Sequence, residues 1–212
     1  MRSTGLRQPC PHCRRPPQTC YCAHVRPFAS DPRFIILIHP NEARHPFGTG
    51  RMAHLCLANS LLIEGIDFSA HHELQSILDD PANFPVLLYP GTSSVNVSQL
   101  PPDARLSFVP RGKKLVIIVP DGTWRTSRKM IHRSQNLRDL PRVSIDAPAH
   151  SNYRIRKQPR PGLYCTVEAI QRVITLLAPA TDGGDESHRN LLQVFNFAVE
   201  RQLNYTPAVR GV

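Results

Sequence analysis

Leu115, Val116, Ile117, Ile118, Val119, Pro120, Asp121, Gly122, Thr123, Trp124 is the stretch that decides the fold. A continuous apolar run, rich in β-branched residues and ended by Pro and Gly, reads as a strand buried on both faces of a parallel sheet. Asp121 falls at its carboxyl end, the edge at which open α/β sheets bind ligands. The residues from Thr123 to Leu137 read as a basic helix, with Met130, Ile131 and Leu137 on one side and Arg125, Arg128, Lys129 and Arg133 largely elsewhere. A carboxylate and the single tryptophan therefore stand at a strand-to-helix switch backed by cations. Asp, Gly and Thr are also ordinary turn and cap residues, and a tryptophan is ordinary core, so a structural and a catalytic role both stay open here.

Working outward, 212 residues suffice for one well-buried α/β core with a small appended module. Hydrophobic residues make up 41% and charged residues 20%, a globular balance, and no apolar run approaches the roughly 18 residues that span a bilayer. Arg2, Arg7, Arg14 and Arg15 have no apolar stretch between them, which is unlike a secretory signal, so a soluble cytoplasmic protein without membrane association is expected. The net charge is +10, and from Arg125 to Arg160 ten Lys and Arg face only Asp139 and Asp146, a local balance of +8. Charge concentrated beside the Asp121 switch points to a polyanionic partner, nucleic acid foremost, against the plainer reading of a solvated basic face.

The first 30 residues hold no acid and four of the six cysteines, Cys10, Cys13, Cys20 and Cys22. In a reducing compartment this C-x2-C-x6-C-x-C cluster is better explained by Zn²⁺ than by disulfides. His12 and His24 are possible substitutes for one ligand. A closed four-ligand site keeps no open position, so the zinc is assigned to folding. Arg7, Arg14, Arg15 and Arg26 would make this segment, residues 1–30, a small basic knuckle ahead of a main domain over 31–212.

Further strands are expected over Arg33 to Ile38, Pro85 to Tyr89 and Arg142 to Ile145. Met52, Leu55, Cys56, Asn59, Leu62 and Ile63 fit one helical face ended by Gly65, and Cys56 on that face reads as core. Asp67 to Asp80 suggests a short strand and a short helix. His39 and Glu42, at a strand end, read as structural. After a turn-rich Pro159 to Gly162, a helix opens near Thr166 with Ala169, Ile170, Val173, Ile174, Leu176 and Leu177 inward, and Asp182 to Asp185 break it. Ser187 can cap a last helix, on which Leu191, Leu192, Val194, Phe195, Ala198, Val199 and Leu203 give a wide apolar stripe. The absence of a Gly-rich phosphate fingerprint disfavours a conventional Rossmann site.

The run Asp121, Gly122, Thr123, Trp124 resembles the D-x-T-W signature of the DTW-domain proteins, and the preceding cysteine cluster has their N-terminal pattern. The resemblance extends over His39 to Glu42 with Arg44, Gly50 and Arg51, over Leu88 to Gly91, over Tyr153 to Pro159 and over Thr166 to Ala169, spanning about residues 10 to 170 in order. Cys165 departs from the family, where Ser is more usual. The resemblance implies a SPOUT-like α/β fold with a C-terminal knot, and a tRNA-uridine aminocarboxypropyltransferase. Such an enzyme donates the 3-amino-3-carboxypropyl group of S-adenosylmethionine to N3 of a uridine and leaves methylthioadenosine. Asp121 is then the expected general base. Leu88, Tyr89, Pro90, Gly91, Pro120, Gly122, Thr123, Trp124, Leu163, Tyr164, Thr166 and Glu168 are the expected cofactor pocket. Arg44, Arg51, Arg125, Arg128, Lys129, Arg154, Arg156 and Lys157 are expected on the RNA. A SPOUT-like RNA methyltransferase and a non-catalytic zinc-containing RNA-binding module are the rival readings.

Overall fold

In the computed structural model, which describes residues 8–146, 151–155, 164–178 and 186–205, the expected strands assemble in parallel. They are β1 (Arg33–Ile38), β3 (Asn83–Leu88), β5 (Lys114–Asp121) and β6 (Arg142–Ser144), joined by two short strands, β2 (Leu61–Glu64) and β4 (Val95–Asn96). The six lie in the order β2-β1-β5-β3-β6-β4, with every neighbour parallel. The opening stretch is thus central, and Ile38 at the end of β1 pairs with Asp121 at the end of β5. From these neighbours the chain leaves in opposite directions, β1 toward β2 and β5 over β3 toward β6. That divergence opens a crevice at the carboxyl edge.

Continuous apolar strands follow from burial on two faces. Phe34, Ile36, Ile117 and Val119 join one core with helices α2 (Thr49–Cys56), α6 (Thr166–Leu177) and α7 (Arg189–Tyr205). Ile35, Leu37, Val116 and Ile118 join another with α3 (His72–Asp79), α4 (Trp124–Arg133) and α5 (Gln135–Arg138). Alternate residues of one strand therefore serve opposite layers, and neither face tolerates a polar residue until the strand ends. A one-turn α1 (Pro40–Ala43) follows β1.

Three expectations are corrected. The helical face drawn from Met52 to Ile63 ends at Cys56, and Leu61–Glu64 is a strand paired with Ile35 to Ile38. The Asn59 side chain forces the break: it accepts from Ser30 N at 3.0 Å and donates to Ser30 O at 2.8 Å, replacing the helical ladder with a turn. The basic helix read through Leu137 stops at Arg133, because Ser134 Oγ donates to Met130 O at 2.8 Å and accepts from Phe68 N at 2.9 Å. No strand forms between Asp67 and His71, where Phe68 is instead buried under α4 and α5.

The cysteine-rich segment, with 3₁₀ turns at Pro17–Thr19 and Cys22–His24, packs directly on α7. Cys13 and Tyr21 enter the same core as α2, α6 and α7. Arg15, expected in a basic surface, is 2% exposed; its guanidinium donates to Thr19 O, to Pro46 O and to Gln202. The knot implied by the resemblance falls in the C-terminal part of the chain, of which residues 147–150, 156–163, 179–185 and 206–212 lie outside the described residues.

Asn59→Ala should destabilise the fold by about 1–3 kcal/mol, since it strips partners from buried Ser30 backbone groups. Denaturant unfolding measures this.

Candidate functional site

Asp121 continues the side of β5 that faces α2 and α6, and its carboxylate meets both. Thr166, the first residue of α6, donates its Oγ1 to Asp121 Oδ1. On α2, a Cβ added at Gly50 would stand 2.2 Å from Asp121 Oδ2, so only glycine lets the helix approach this close. The Asp121 backbone carbonyl accepts from His39 N at 2.9 Å, tying it to the end of β1. A carboxylate between the first turns of two helices sits where backbone dipoles favour negative charge. It is 6% exposed.

Beside it lies a cleft of about 300 Å³, bounded by the ends of β3, β5 and β6 and the starts of α4 and α6. Of the residues expected to form a cofactor pocket, Leu88, Tyr89, Pro90, Pro120, Gly122, Trp124, Tyr164 and Thr166 line it. Val119, Ser127, Ser144, Ile145 and Ala169 complete it and were missed. Ser127 and Ala169 follow Trp124 and Thr166 by three residues, one helical turn on, and that spacing was the available signal. Among the described residues, no charged side chain lines the cleft. Trp124 is 45% exposed at its rim, with its ring 5.6 Å from that of Tyr89.

Three expected pocket residues stand outside the lining. Thr123 is the N-cap of α4, accepting from Thr126 N at 3.2 Å. Gly91 packs against the Arg142 side chain. Glu168 lies behind the start of α6, accepting from Ser151 Oγ at 2.7 Å, Asn152 N at 2.9 Å and Cys165 N at 2.9 Å. It thereby fastens the segment before Arg154 to the helix that carries Thr166. Cys165 is the N-cap of α6; burial first, and then nearby Glu168, raise its thiol well above the ordinary range and keep it neutral. Leu163 lies outside the described residues.

His39 and Glu42, at the neighbouring strand end, are buried. His39 caps α1, its Nδ1 accepting from Asn41 N at 3.2 Å, a role that needs the neutral ring. Burial first, and then Lys129, lower its pKa and favour that form.

Arg125, Arg128 and Lys129 are exposed along α4, which starts at the cleft rim. Arg44 and Arg154 are exposed as well, whereas Arg51 is half-buried, its cation disfavoured by burial and then by Arg14. Arg156 and Lys157 lie outside the described residues.

Away from the cleft, the sulfurs of Cys10, Cys13, Cys20 and Cys22 all lie within 4.8 Å of one another, so the cluster could hold a metal ion. Cys10 and Cys22 are 3.7 Å apart and Cys13 and Cys20 3.6 Å. Four thiolates at 2.3 Å around a tetrahedral ion stand about 3.8 Å from each other. Burial opposes the Cys10 thiolate, but the backbone N–H groups of Cys13 and His12 bring its pKa to about 6. Burial pushes Cys13 and Cys22 up. Neither histidine joins the cluster; His24 stacks on Phe197 at 3.7 Å.

No helix among the described residues is long and apolar enough to cross a membrane. No solved structure matches the chain. A protein of Drosophila melanogaster named tRNA-uridine aminocarboxypropyltransferase 2 is 30% identical over 178 residues, covering 81% of this chain and 67% of that protein. The profile of the DTW domain matches residues 7–203. The chain belongs to the DTW-domain family.

Proposed function

We propose that this protein transfers the 3-amino-3-carboxypropyl group of S-adenosylmethionine to N3 of a uridine in tRNA, releasing methylthioadenosine. The observation that carries this reading is the buried Asp121 carboxylate beside an apolar, aromatic-rimmed cleft at the sheet's carboxyl edge, next to a cationic helix. The name of the Drosophila relative supports the same reaction. Within this reading the fold is SPOUT-like and the setting is a reducing cytoplasm, in which the four thiols stay free to hold an ion.

The cleft fits the donor. Its volume is at the lower end of small-molecule sites, and its apolar lining, with Tyr89 and Trp124, suits a nucleoside. The Ser127 and Ser144 hydroxyls can orient polar edges. When bound, S-adenosylmethionine supplies an electrophilic carbon beside a sulfonium leaving group. The chain's residues must then hold the uridine in line and remove its N3 proton, for which Asp121 is the base. Arg125, Arg128, Lys129 and Arg154 supply phosphate contacts around the cleft.

Incubation with S-adenosylmethionine and unmodified tRNA, followed by nucleoside mass spectrometry, tests the reading. Gain of an aminocarboxypropyl group supports it. Gain of a methyl group would identify a methyltransferase, and binding without modification an RNA-binding module. Asp121→Asn should lower kcat about 10²- to 10⁴-fold with the fold intact; near-normal product formation by a folded variant excludes Asp121 as base. The double charge reversal Arg128→Glu and Lys129→Glu should weaken tRNA binding and flatten its salt dependence by about one unit of slope per lost phosphate contact. Filter binding across a salt series measures both.

We read the metal of the cysteine cluster as zinc in a closed structural site. Because the segment shares its core with α7, chelation should cost several kcal/mol. At about 2–4 °C per kcal/mol for a chain of this size, the unfolding midpoint should fall on the order of 10 °C. Calorimetry with and without chelator, paired with metal analysis, checks this.

A further inference from the structure

Resting on the transfer reaction proposed above, we infer that Thr166 is the group that touches the uridine N3 proton, relaying protons to Asp121. Asp121 is 6% exposed and is not among the cleft-lining residues, whereas Thr166 lines the cleft and hydrogen-bonds Asp121 Oδ1. On the opposite side the carboxylate is packed against Gly50, at 2.2 Å from where a Cβ would stand. Among the described residues, the Thr166 hydroxyl is the group that joins the cleft lining to the carboxylate. A hydroxyl carries one proton and two acceptor lone pairs, so it can give its proton to a carboxylate and accept another from the cleft. Its place is fixed independently by Glu168, which accepts from Cys165 N and anchors the first turn of α6.

The step balances. As N3 bonds to the carbon beside the sulfonium, the N3 proton passes to Thr166 Oγ1 and the threonine proton passes to Asp121 Oδ1. The electron pair of the broken carbon–sulfur bond stays on sulfur. One carboxylate and one sulfonium are neutralised together, and Asp121 returns its proton through the same hydroxyl once the product has left. Serine can perform this exchange. Valine, which matches threonine in shape, cannot.

The experiment compares Thr166→Val and Thr166→Ser with the wild-type protein in three measurements: calorimetric binding of S-adenosylmethionine, binding of unmodified tRNA, and kcat across pH. Thr166→Val should bind both ligands as the wild type does, yet lose about 10²- to 10⁴ -fold in kcat at neutral pH. Its deficit should shrink as the pH rises, because uridine N3 then loses its proton to solvent without a relay; a purely structural defect would not follow pH in this way. Thr166→Ser should keep most of the activity. Should Thr166→Val fail to fold, Thr166→Ala removes the same hydroxyl from the first turn and carries the same expectation. Near-normal kcat in a folded Val or Ala variant overturns the relay, as does a deficit that is constant with pH. A wild-type protein that binds tRNA but transfers no aminocarboxypropyl group overturns the function itself, a separate result.

Discussion

Burial of one carboxylate at the end of the central strand is the constraint around which this protein is arranged. A charged group taken out of water must be met by hydrogen bonds and dipoles. Here Thr166 supplies a hydrogen bond and the first turns of α2 and α6 close in around it. The requirement propagates: α2 approaches only because residue 50 has no side chain, and α6 is placed by Glu168. Packing of α7 on α2 and α6 then fixes that layer. The cleft is what these approaches leave open above β3, β5 and β6.

How much of this could be read from residues alone depends on where the causal contact lies. Strands buried on both faces announce themselves as unbroken apolar runs, and β1, β3, β5 and β6 were all legible as such. The two strands that escaped, β2 and β4, are the edges of the sheet. Leu62 and Ile63 continue the helical spacing of Met52 and Cys56, and only the Asn59 contacts with Ser30, 29 residues away, decide against helix. Likewise the end of α4 is set by Ser134 reaching Phe68 across 66 residues.

The site shows the same division. Motif resemblance placed Asp121, Trp124 and Thr166 near one edge, and eight of the expected lining residues do line the cleft. It did not separate the residues that face the cleft from those that hold it in shape. Thr123 and Glu168 cap helices, a role visible only once each acceptor has a donor beside it. Nor did it show that Thr166 rather than Asp121 faces the open space, since their hydrogen bond joins positions 45 residues apart.

The docking of the cysteine-rich segment on α7 has a mechanical consequence. Arg15, Gln18, His24 and Arg26 from the beginning of the chain bond to Asn190, Arg201 and Gln202 near its end. The cysteine-rich segment and α7 are thus latched together, and neither can shift without pulling on the other. Peeling α7 away would strip packing from the cysteine cluster, and an ion held by its four sulfurs would in turn brace the helix layer beside the cleft. An ion held there, outside the cleft lining, would thereby act on the rigidity of the layer that carries Thr166.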